Sequence, residues 1–244
     1  MIYRILISLC FIFLAFNIVI SAQTTSASVK NAERDFAAER EMADLAIKAH
    51  GGDKLLKMSS LTIRGSADIN IQARSFPVTF VTIFSGEKYR FELNNPFQPI
   101  KQVSDGTATS SSMGGGFSLP PVNRIGFPVL QKIGQPGFII TALPEKSGKK
   151  KGFRLTSPEG YVTDFFVDSK TGQIKGYESM YETNGRKIST SVAIDKMRLV
   201  DGVLVPEKYA QRFDMDQFTV YADFKAKDIL VNEKIEDNVF LDLS

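Results

Sequence analysis

The sequence predicts an α+β fold dominated by one antiparallel sheet of about ten or eleven strands. Large apolar residues alternate with other residues in many strand-length runs, whereas only two segments have helical character. The runs are joined by turn sequences such as Asp105-Gly106 and Asp201-Gly202, which favour strands that follow one another in meander order. Since the sequence has no internal repeat and no sign of a domain boundary, we expect a single domain over residues 31–244.

The first 22 residues have the composition of a cleavable signal peptide. Arg4 provides the positive charge, and an apolar run over residues 5–20 follows it. Ser21-Ala22 is the first candidate for the cleavage site and Ala27 the second, and residues 23–30 then form a flexible leader. An uncleaved membrane anchor is the alternative, but the apolar run is short for a span of about 20 residues.

The only cysteine, Cys10, lies inside this signal, so the mature chain has no disulfide. Export without disulfides is more typical of the bacterial periplasm than of a small secreted domain. The net charge of +3 is too small to indicate a nucleic-acid-binding protein. We therefore expect a periplasmic protein without a nucleic-acid partner.

Residues 31–49 predict a helix that is followed by strands. The apolar positions of this helix recur three and four residues apart, at Met42, Leu45, Ala46 and Ala49. Gly51 and Gly52 end it, because glycine adopts the left-handed conformation found at helix C-termini. Residues 61–72 then alternate so regularly that one face of the strand must be buried.

The two following strands carry the largest apolar residues on one face. Residues 76–84 and 89–93 both have period two, which predicts two strands with a shared apolar face. With few helices to cover so many strands, this face either lines a cavity or packs against a second sheet in a filled core. The candidate cavity residues are Phe76, Val78, Phe80, Phe84, Tyr89, Phe91 and Leu93.

The segment 113–137 interrupts the strands and is a candidate lid. Its start is small, polar and rich in glycine, and Gly114–Gly116 would provide hinge freedom. A short helix over residues 122–133 is predicted next, kinked or split at Pro128. The lid residues expected over the cavity are Leu119, Ile125, Phe127 and Leu130, and an ordinary crossover loop is the alternative.

Nothing in the residue inventory indicates catalysis or a cofactor. His50 is the only histidine, the sequence has no G-x-S-x-G motif, and the mature chain has no cysteine to bind a metal. We interpret His50 as a helix-end residue that interacts with the C-terminal helix dipole. The protein is therefore predicted to be a non-enzyme without cofactor or metal.

The order of several short motifs resembles the periplasmic lipoprotein carrier family, LolA and its relatives LolB and RseB. The motifs follow the N-terminal helix and its strands, and occupy residues 88–91, 103–106, 165–174 and 232–240. Each motif alone is ordinary turn chemistry, and only their order is informative. The sequence departs from the family after Gly106, where small polar residues stand in place of aromatic ones.

This resemblance implies an unclosed β-barrel whose apolar concave face is covered by helices and takes acyl chains. The implied partners are a lipid or an acylated lipoprotein, together with membrane proteins that donate or accept it. The carrier itself is expected to be a monomer. In the family an arginine near the strand at residues 88–91 holds the lid closed, and Arg90 is the best match. An RseB-like module that binds a membrane-protein partner, or a structural β-domain with a filled core, remains an alternative.

Overall fold

A computed structural model describes residues 36–71, 74–95, 98–113, 119, 121–183, 186–215, 218–241 and 243. The chain divides into two units, residues 1–38 and 39–244, and only residues 36–38 of the first are described. The predicted signal peptide (1–22) and leader (23–30) lie outside the described residues. Within the described part, no helix is both long enough and apolar enough to cross a membrane.

The second unit is built on one antiparallel sheet of twelve strands, which confirms the predicted fold class and corrects the predicted strand number. Neighbours in the sheet follow the order β5-β4-β3-β2-β1-β12-β11-β10-β9-β8-β7-β6. The strands are β1 (Ser60–Ile71), β2 (Arg74–Ser85), β3 (Lys88–Asn94), β4 (Ile100–Ser104), β5 (Thr109–Ser111), β6 (Ile139–Thr141), β7 (Gly152–Thr156), β8 (Val162–Val167), β9 (Ile174–Thr183), β10 (Arg186–Val200), β11 (Val203–Met215) and β12 (Phe218–Val231).

The strand that the sequence did not predict is β5, which has only three residues, all of them Thr or Ser. Small hydroxyl residues give no alternating apolar signal, so a strand of this kind resembles a loop in the sequence. β5 and the equally short β6 are the two edges of the sheet. Because the strand order ends at these two edges, the sheet is an unclosed barrel.

Strand β1 lies at the centre and joins two meanders. It pairs with β2 along its whole length on one side and with β12 on the other. Its odd-numbered residues, such as Ile63 and Ile69, share a face with Phe84 and Phe76 of β2, as the alternation predicts. Large apolar side chains from both meanders meet on this face, where the rings of Phe80 and Phe224 pack edge to face with centroids 5.0 Å apart.

Two helices precede the sheet: α1 (Ala37–Ala49) and the single-turn α2 (Asp53–Leu56). The buried stripe of α1 differs slightly from the prediction. Ala43 and Ala46 are fully buried, but Leu45 is 36% exposed. The glycines between the helices have positive φ, at +121° for Gly51 and +55° for Gly52, as expected for a helix C-terminus.

The segment between the two sheet edges is less helical than predicted. In place of a helix over residues 122–133, the described residues form a 3₁₀ helix at Phe127–Lys132 with proline in its first turn. Pro128 is accommodated there because the first turn of a helix does not need its N–H group. Two further short 3₁₀ helices occur at Glu145–Ser147 and Asp237–Phe240.

Candidate functional site

A cavity of about 670 Å³ lies on the concave side of the sheet. Its volume falls within the range of about 300–1,000 Å³ that is typical of small-molecule sites. Well-packed protein cores have few voids larger than a water molecule. The side chains that the structure describes therefore do not fill the concave face, which argues against the filled-core alternative.

The first half of the sheet, β1–β4, lines this cavity with aliphatic and phenylalanine side chains. Its contributors are Leu61, Ile63, Ile69, Ile71, Phe76, Thr82, Phe84, Phe91, Leu93 and Ile100. Four of the candidate cavity residues are among them: Phe76, Phe84, Phe91 and Leu93. The concave side, which the sequence could not identify, is thus the face that these residues share.

The other three candidate cavity residues lie on the same face but are covered by neighbouring side chains. Val78 is 4% exposed, and Phe80 and Tyr89 are each 1% exposed. All three belong to the main hydrophobic core and not to the cavity lining. They pack beside the lining residues, so a ligand in the cavity would contact those residues and not Val78, Phe80 or Tyr89.

The second half of the sheet, β6–β12, contributes as much of the lining through its strands β9–β12, and this part was missed in the sequence. Its residues there are Tyr177, Tyr181, Ile188, Thr190, Val192, Tyr209, Gln211, Phe213, Val220 and Phe224, with Pro206 beside them. The signal was present, because residues 188–192 and 209–213 also alternate with period two. Buried Thr190 and half-buried Gln211 occupy inward-facing positions in these runs and conceal the pattern.

A row of hydroxyl and amide side chains crosses the second half. The hydroxyls of Thr163 and Ser179 lie 3.0 Å apart, and Gln211 Nε2 donates to Thr190 Oγ1 at 2.9 Å. Ser179 and Thr190 are directly opposite each other in the register of β9 and β10. Polar groups from four neighbouring strands thus satisfy one another on a face that is otherwise apolar.

The cavity presents no charged side chain among the residues described. Its three tyrosines are neutral, since burial raises the pKa of Tyr177, Tyr181 and Tyr209 above the usual value for a phenol. Within the described ranges, no three His, Cys, Asp or Glu side chains come together as a metal site would require. The chemistry that the cavity offers is apolar contact with a few neutral hydrogen-bonding groups.

The described residues of the predicted lid, 121–137, cover part of the concave face. Ile125 and Phe127 line the cavity, as does Leu119, whereas Leu130 is fully buried in the core. The proposed hinge at Gly114–Gly116 lies outside the described residues. We refer to residues 121–137 as the cover segment.

The cover segment is fastened to both halves of the sheet. On the first half, Lys132 Nζ lies 2.6 Å from a carboxylate oxygen of Glu87, in the turn between β2 and β3. On the second half, the backbone N–H of Gly126 donates to Thr163 Oγ1 at 3.1 Å. A Cβ atom on Gly126 would lie 2.6 Å from the ring of Tyr177, so glycine is required for this close approach.

Gln102 fixes the backbone of Leu119 at the cavity wall. The amide group of Gln102 is fully buried: its Nε2 donates to the carbonyl of Leu119 at 2.9 Å, and its Oε1 accepts from the N–H of Leu119 at 2.7 Å. Nε2 also donates to the hydroxyl of Tyr89 at 2.7 Å. Tyr89 thus contributes to the site by positioning Gln102.

Arg90, the candidate lid latch, lies on the outer face of the sheet, since it alternates with Tyr89 and Phe91. Its side chain pairs with Glu92, and its Nη1 donates to the carbonyl of Val239 at 2.9 Å. These contacts fasten the C-terminal 3₁₀ helix to β3. The described contacts of Arg90 join β3 to the C-terminal 3₁₀ helix, and its role as a lid latch stays a prediction.

His50 is buried and neutral, which corrects the expected interaction with the helix dipole. Its Nε2 accepts from the N–H of Ile174 at 3.0 Å, so the proton must lie on Nδ1, which donates to the carbonyl of Leu204 at 2.7 Å. Burial lowers the pKa of His50 below 6.5, against the opposing effect of the Leu204 carbonyl. With both nitrogens bonded to backbone, the imidazole is a structural link between α1, β9 and β11.

The solved structures to which this chain is similar include three proteins of low sequence identity. They are a LolA superfamily protein from Nitrosomonas europaea (TM-score 0.49, 10% identity, 83% of this chain and 96% of that chain), a DUF1329 family protein from Desulfovibrio piger (0.48, 11%, 83% and 96%) and an outer membrane lipoprotein-sorting protein domain from Vibrio parahaemolyticus (0.46, 10%, 86% and 97%). No protein-family model and no curated protein sequence matches the chain. Since these TM-scores are below 0.5, function must be argued from the site.

Proposed function

We propose that this chain is a periplasmic binding or carrier protein that shelters an acyl chain of a lipid or lipoprotein. The observation that carries the proposal is the cavity of about 670 Å³, whose described lining has no charged side chain. A polar ligand would lose its hydration there without gaining enough hydrogen bonds. A hydrocarbon chain gains from the same burial.

The energetic argument favours a long apolar ligand. Each CH₂ group transferred from water to such a surface contributes about 0.8 kcal/mol. A chain of about a dozen buried groups therefore has a gross driving force of about 10 kcal/mol, before the entropy cost of binding is subtracted. The aliphatic and phenylalanine lining of the first half provides a surface of this kind, as in Ile63 and Phe91.

Sequence features support a role in transport between membranes. The predicted signal peptide and the absence of cysteine from the mature chain suit the periplasm. The motif order that resembles the LolA carriers suits an acylated cargo, with membrane proteins as donor and acceptor. Catalysis has little support, because the only imidazole, that of His50, has both nitrogens bonded to backbone groups.

The first test is the mass of the mature chain purified gently from the periplasm, measured under native conditions and followed by extraction of what it holds. A discrete added mass that resolves into a lipid or acylated peptide supports the proposal. A bare protein mass, combined with no uptake of added palmitate, contradicts it. That second result would favour the RseB-like alternative, in which the fold binds a protein partner.

A matched pair of variants then places the ligand. Thr82 faces the cavity and Thr79 is exposed on the outer face of the same strand. Thr82→Phe should fill part of the cavity and weaken palmitate binding by about tenfold, in line with the usual cost of overpacking. Thr79→Phe should leave binding unchanged. Equal affinities of the two variants would mean that the ligand binds elsewhere.

A further inference from the structure

A second, polar pocket of about 210 Å³ adjoins the apolar cavity. Leu119 and Tyr181 line both spaces, so these two side chains form the partition between them. One side of the pocket is formed by the β2–β3 turn and the loop before β5, and the other by Tyr161 and β9. We call it the seam pocket, because it lies where the two halves of the open sheet face each other across the cover segment.

Ion pairs hold the seam pocket together. Arg124 of the cover segment lies 4.0 Å from Glu87 of the first half and 3.6 Å from Glu159 of the second. Lys132 also pairs with Glu87. Arg124 and Lys132 thus link the cover segment to both halves of the sheet around the pocket.

One buried atom in the lining lacks a hydrogen bond. Asn123 is only 6% exposed, and its Nδ2 donates to the carbonyl of Glu87 at 2.8 Å. Its Oδ1 is buried and accepts no hydrogen bond from any residue that the structure describes. A buried acceptor left unpaired is costly. A ligand group with an O–H or N–H donor would satisfy it once the Asn123 side chain turns Oδ1 toward the pocket.

The charges of the seam pocket disfavour an anionic ligand. Arg124 is the only cation among the described lining residues, and it already interacts with two carboxylates. Glu182 adds a further negative charge to the wall. A phosphate or carboxylate group would therefore meet more negative than positive charge. Neutral hydroxyl groups would find partners in Asn123 and in the hydroxyls of Thr107 and Thr109.

We propose that the seam pocket binds the uncharged, hydroxyl-bearing head group of an amphiphile whose acyl chain occupies the apolar cavity. The inference rests on the proposed function, since the head group follows the chain past Leu119 and Tyr181. It adds a substrate class: single-chain amphiphiles with a neutral polyol head. The two adjoining spaces would thus bind the acyl chain and the head group of one ligand.

The test compares three ligands with the same acyl chain: monopalmitoylglycerol, methyl palmitate and palmitoyl lysophosphatidate. Displacement of a fluorescent acyl probe gives each affinity. We expect the glycerol ester to bind about fivefold more tightly than the methyl ester, which corresponds to about 1 kcal/mol at 1.4 kcal/mol per tenfold. The lysophosphatidate should bind more weakly than the glycerol ester.

The variant Asn123→Leu should abolish this head-group preference while keeping the affinity for methyl palmitate. The same substitution at Asn70, on the outer face of β1, is the matched control and should keep the preference. Tyr181→Phe removes only a hydroxyl at the partition and gives a second measure if Asn123→Leu destabilises the fold. We expect it to reduce the preference to about half.

The outcomes separate this inference from the proposed function. If methyl palmitate and monopalmitoylglycerol bind equally well to the unaltered protein, the seam pocket is not a head-group site, although the acyl site stands. If lysophosphatidate binds most tightly, the assignment of an uncharged head is wrong. If no acyl ligand binds at all, the proposed function fails and the inference fails with it. A preference that survives in Asn123→Leu and in Tyr181→Phe also overturns it.

Discussion

The two halves of the concave face differ in chemistry although they share one sheet. Strands β1–β4 present aliphatic and phenylalanine side chains, with Thr82 as the one hydroxyl. Strands β9–β12 present tyrosines together with Thr190 and Gln211, and hydrogen bonds satisfy these polar groups. The first half thus provides mainly apolar contact area, whereas the second adds neutral hydrogen-bonding groups and holds the end of α1 through His50.

The variant His50→Ala should have the largest effect on stability. In the described contacts, the imidazole of His50 bonds only to strands of the second half. The variant leaves the N–H of Ile174 and the carbonyl of Leu204 without partners and opens a cavity. We expect the free energy of unfolding, measured with urea, to fall by about 3–5 kcal/mol. Lys48→Ala, an exposed change on the same helix, should cost less than about 0.5 kcal/mol. A loss below about 1 kcal/mol for His50→Ala would show that the link does not stabilise the fold.

A second test addresses the contact between the cover segment and the second half. Gly126 and Gly134 both have positive φ, +69° and +83°, but only a Cβ on Gly126 would meet another residue, Tyr177, at 2.6 Å. Gly134→Ala should therefore cost about 1 kcal/mol of unfolding free energy from backbone strain alone. Gly126→Ala should cost about 2–3 kcal/mol more, because Tyr177 must move. Equal losses of unfolding free energy for the two variants would mean that the cover segment or Tyr177 moves at little cost, so that the close approach at Gly126 is not required.

The third test is the pH dependence of stability. The pKa of His50 is lowered by burial in the folded chain, whereas the unfolded imidazole titrates at about 6.5. As the pH falls below 6.5, the imidazole of the unfolded chain binds a proton, whereas that of the folded chain does not. The contribution of His50 to the free energy of unfolding is therefore complete above pH 6.5 and is lost progressively below it. Between pH 7 and 5.5 we expect a slope of up to about 1.4 kcal/mol per pH unit.

His50→Gln is the control for this slope, since it has no titrating group at this position. Its stability should be nearly constant over the same pH interval. Carboxylates with low pKa values, such as Glu207 and Asp105 at about 2, lose their contribution at lower pH, as the unfolded carboxyls begin to titrate. Parallel curves for the unaltered protein and His50→Gln would assign the pH dependence to another group.

The smallest expected effect concerns the polar row. Gln211→Met removes the donor to Thr190 Oγ1 and should cost about 0.5–1.5 kcal/mol of unfolding free energy. Adding Thr190→Val removes the partner as well and should recover most of that loss. The double variant makes the second half resemble the first, and it should bind palmitate at least as tightly as the unaltered protein. A fully additive loss would show that the two side chains act independently.

Much of the fold could be predicted because the buried positions alternate with few exceptions. Strand β1 and the pair β2–β3 follow this rule, and four of their predicted cavity residues line the cavity. The sequence could not predict which inward-facing residues are covered by other side chains. Phe80 and Tyr89 are covered in this way, whereas their neighbours on the same face line the cavity. Which side chains are covered depends on strands that are distant in the sequence, as when Phe224 of β12 packs against Phe80.

The second half and the seam pocket were not predicted, for a different physical reason. Thr190 and Gln211 face the cavity but look like outward-facing residues in a sequence, because each has its hydrogen-bond partner on another strand. The burial of Asn123 likewise could not be predicted, because its partner, the carbonyl of Glu87, belongs to a turn that is distant in the sequence. Polar groups that satisfy one another across distant parts of the chain have no local pattern.

The strand order has a consequence for how this chain is made. The neighbouring interior strands β1 and β12 are the first and the last strands of the sheet to be synthesised, with Leu61 opposite Val231. Each meander can form from contacts between sequence neighbours, but the two can join only after β12 has been synthesised. Until then β1 has one unpaired edge that can pair wrongly. Truncation before β12 would leave two separate ribbons, whereas loss of an edge strand would only narrow the sheet.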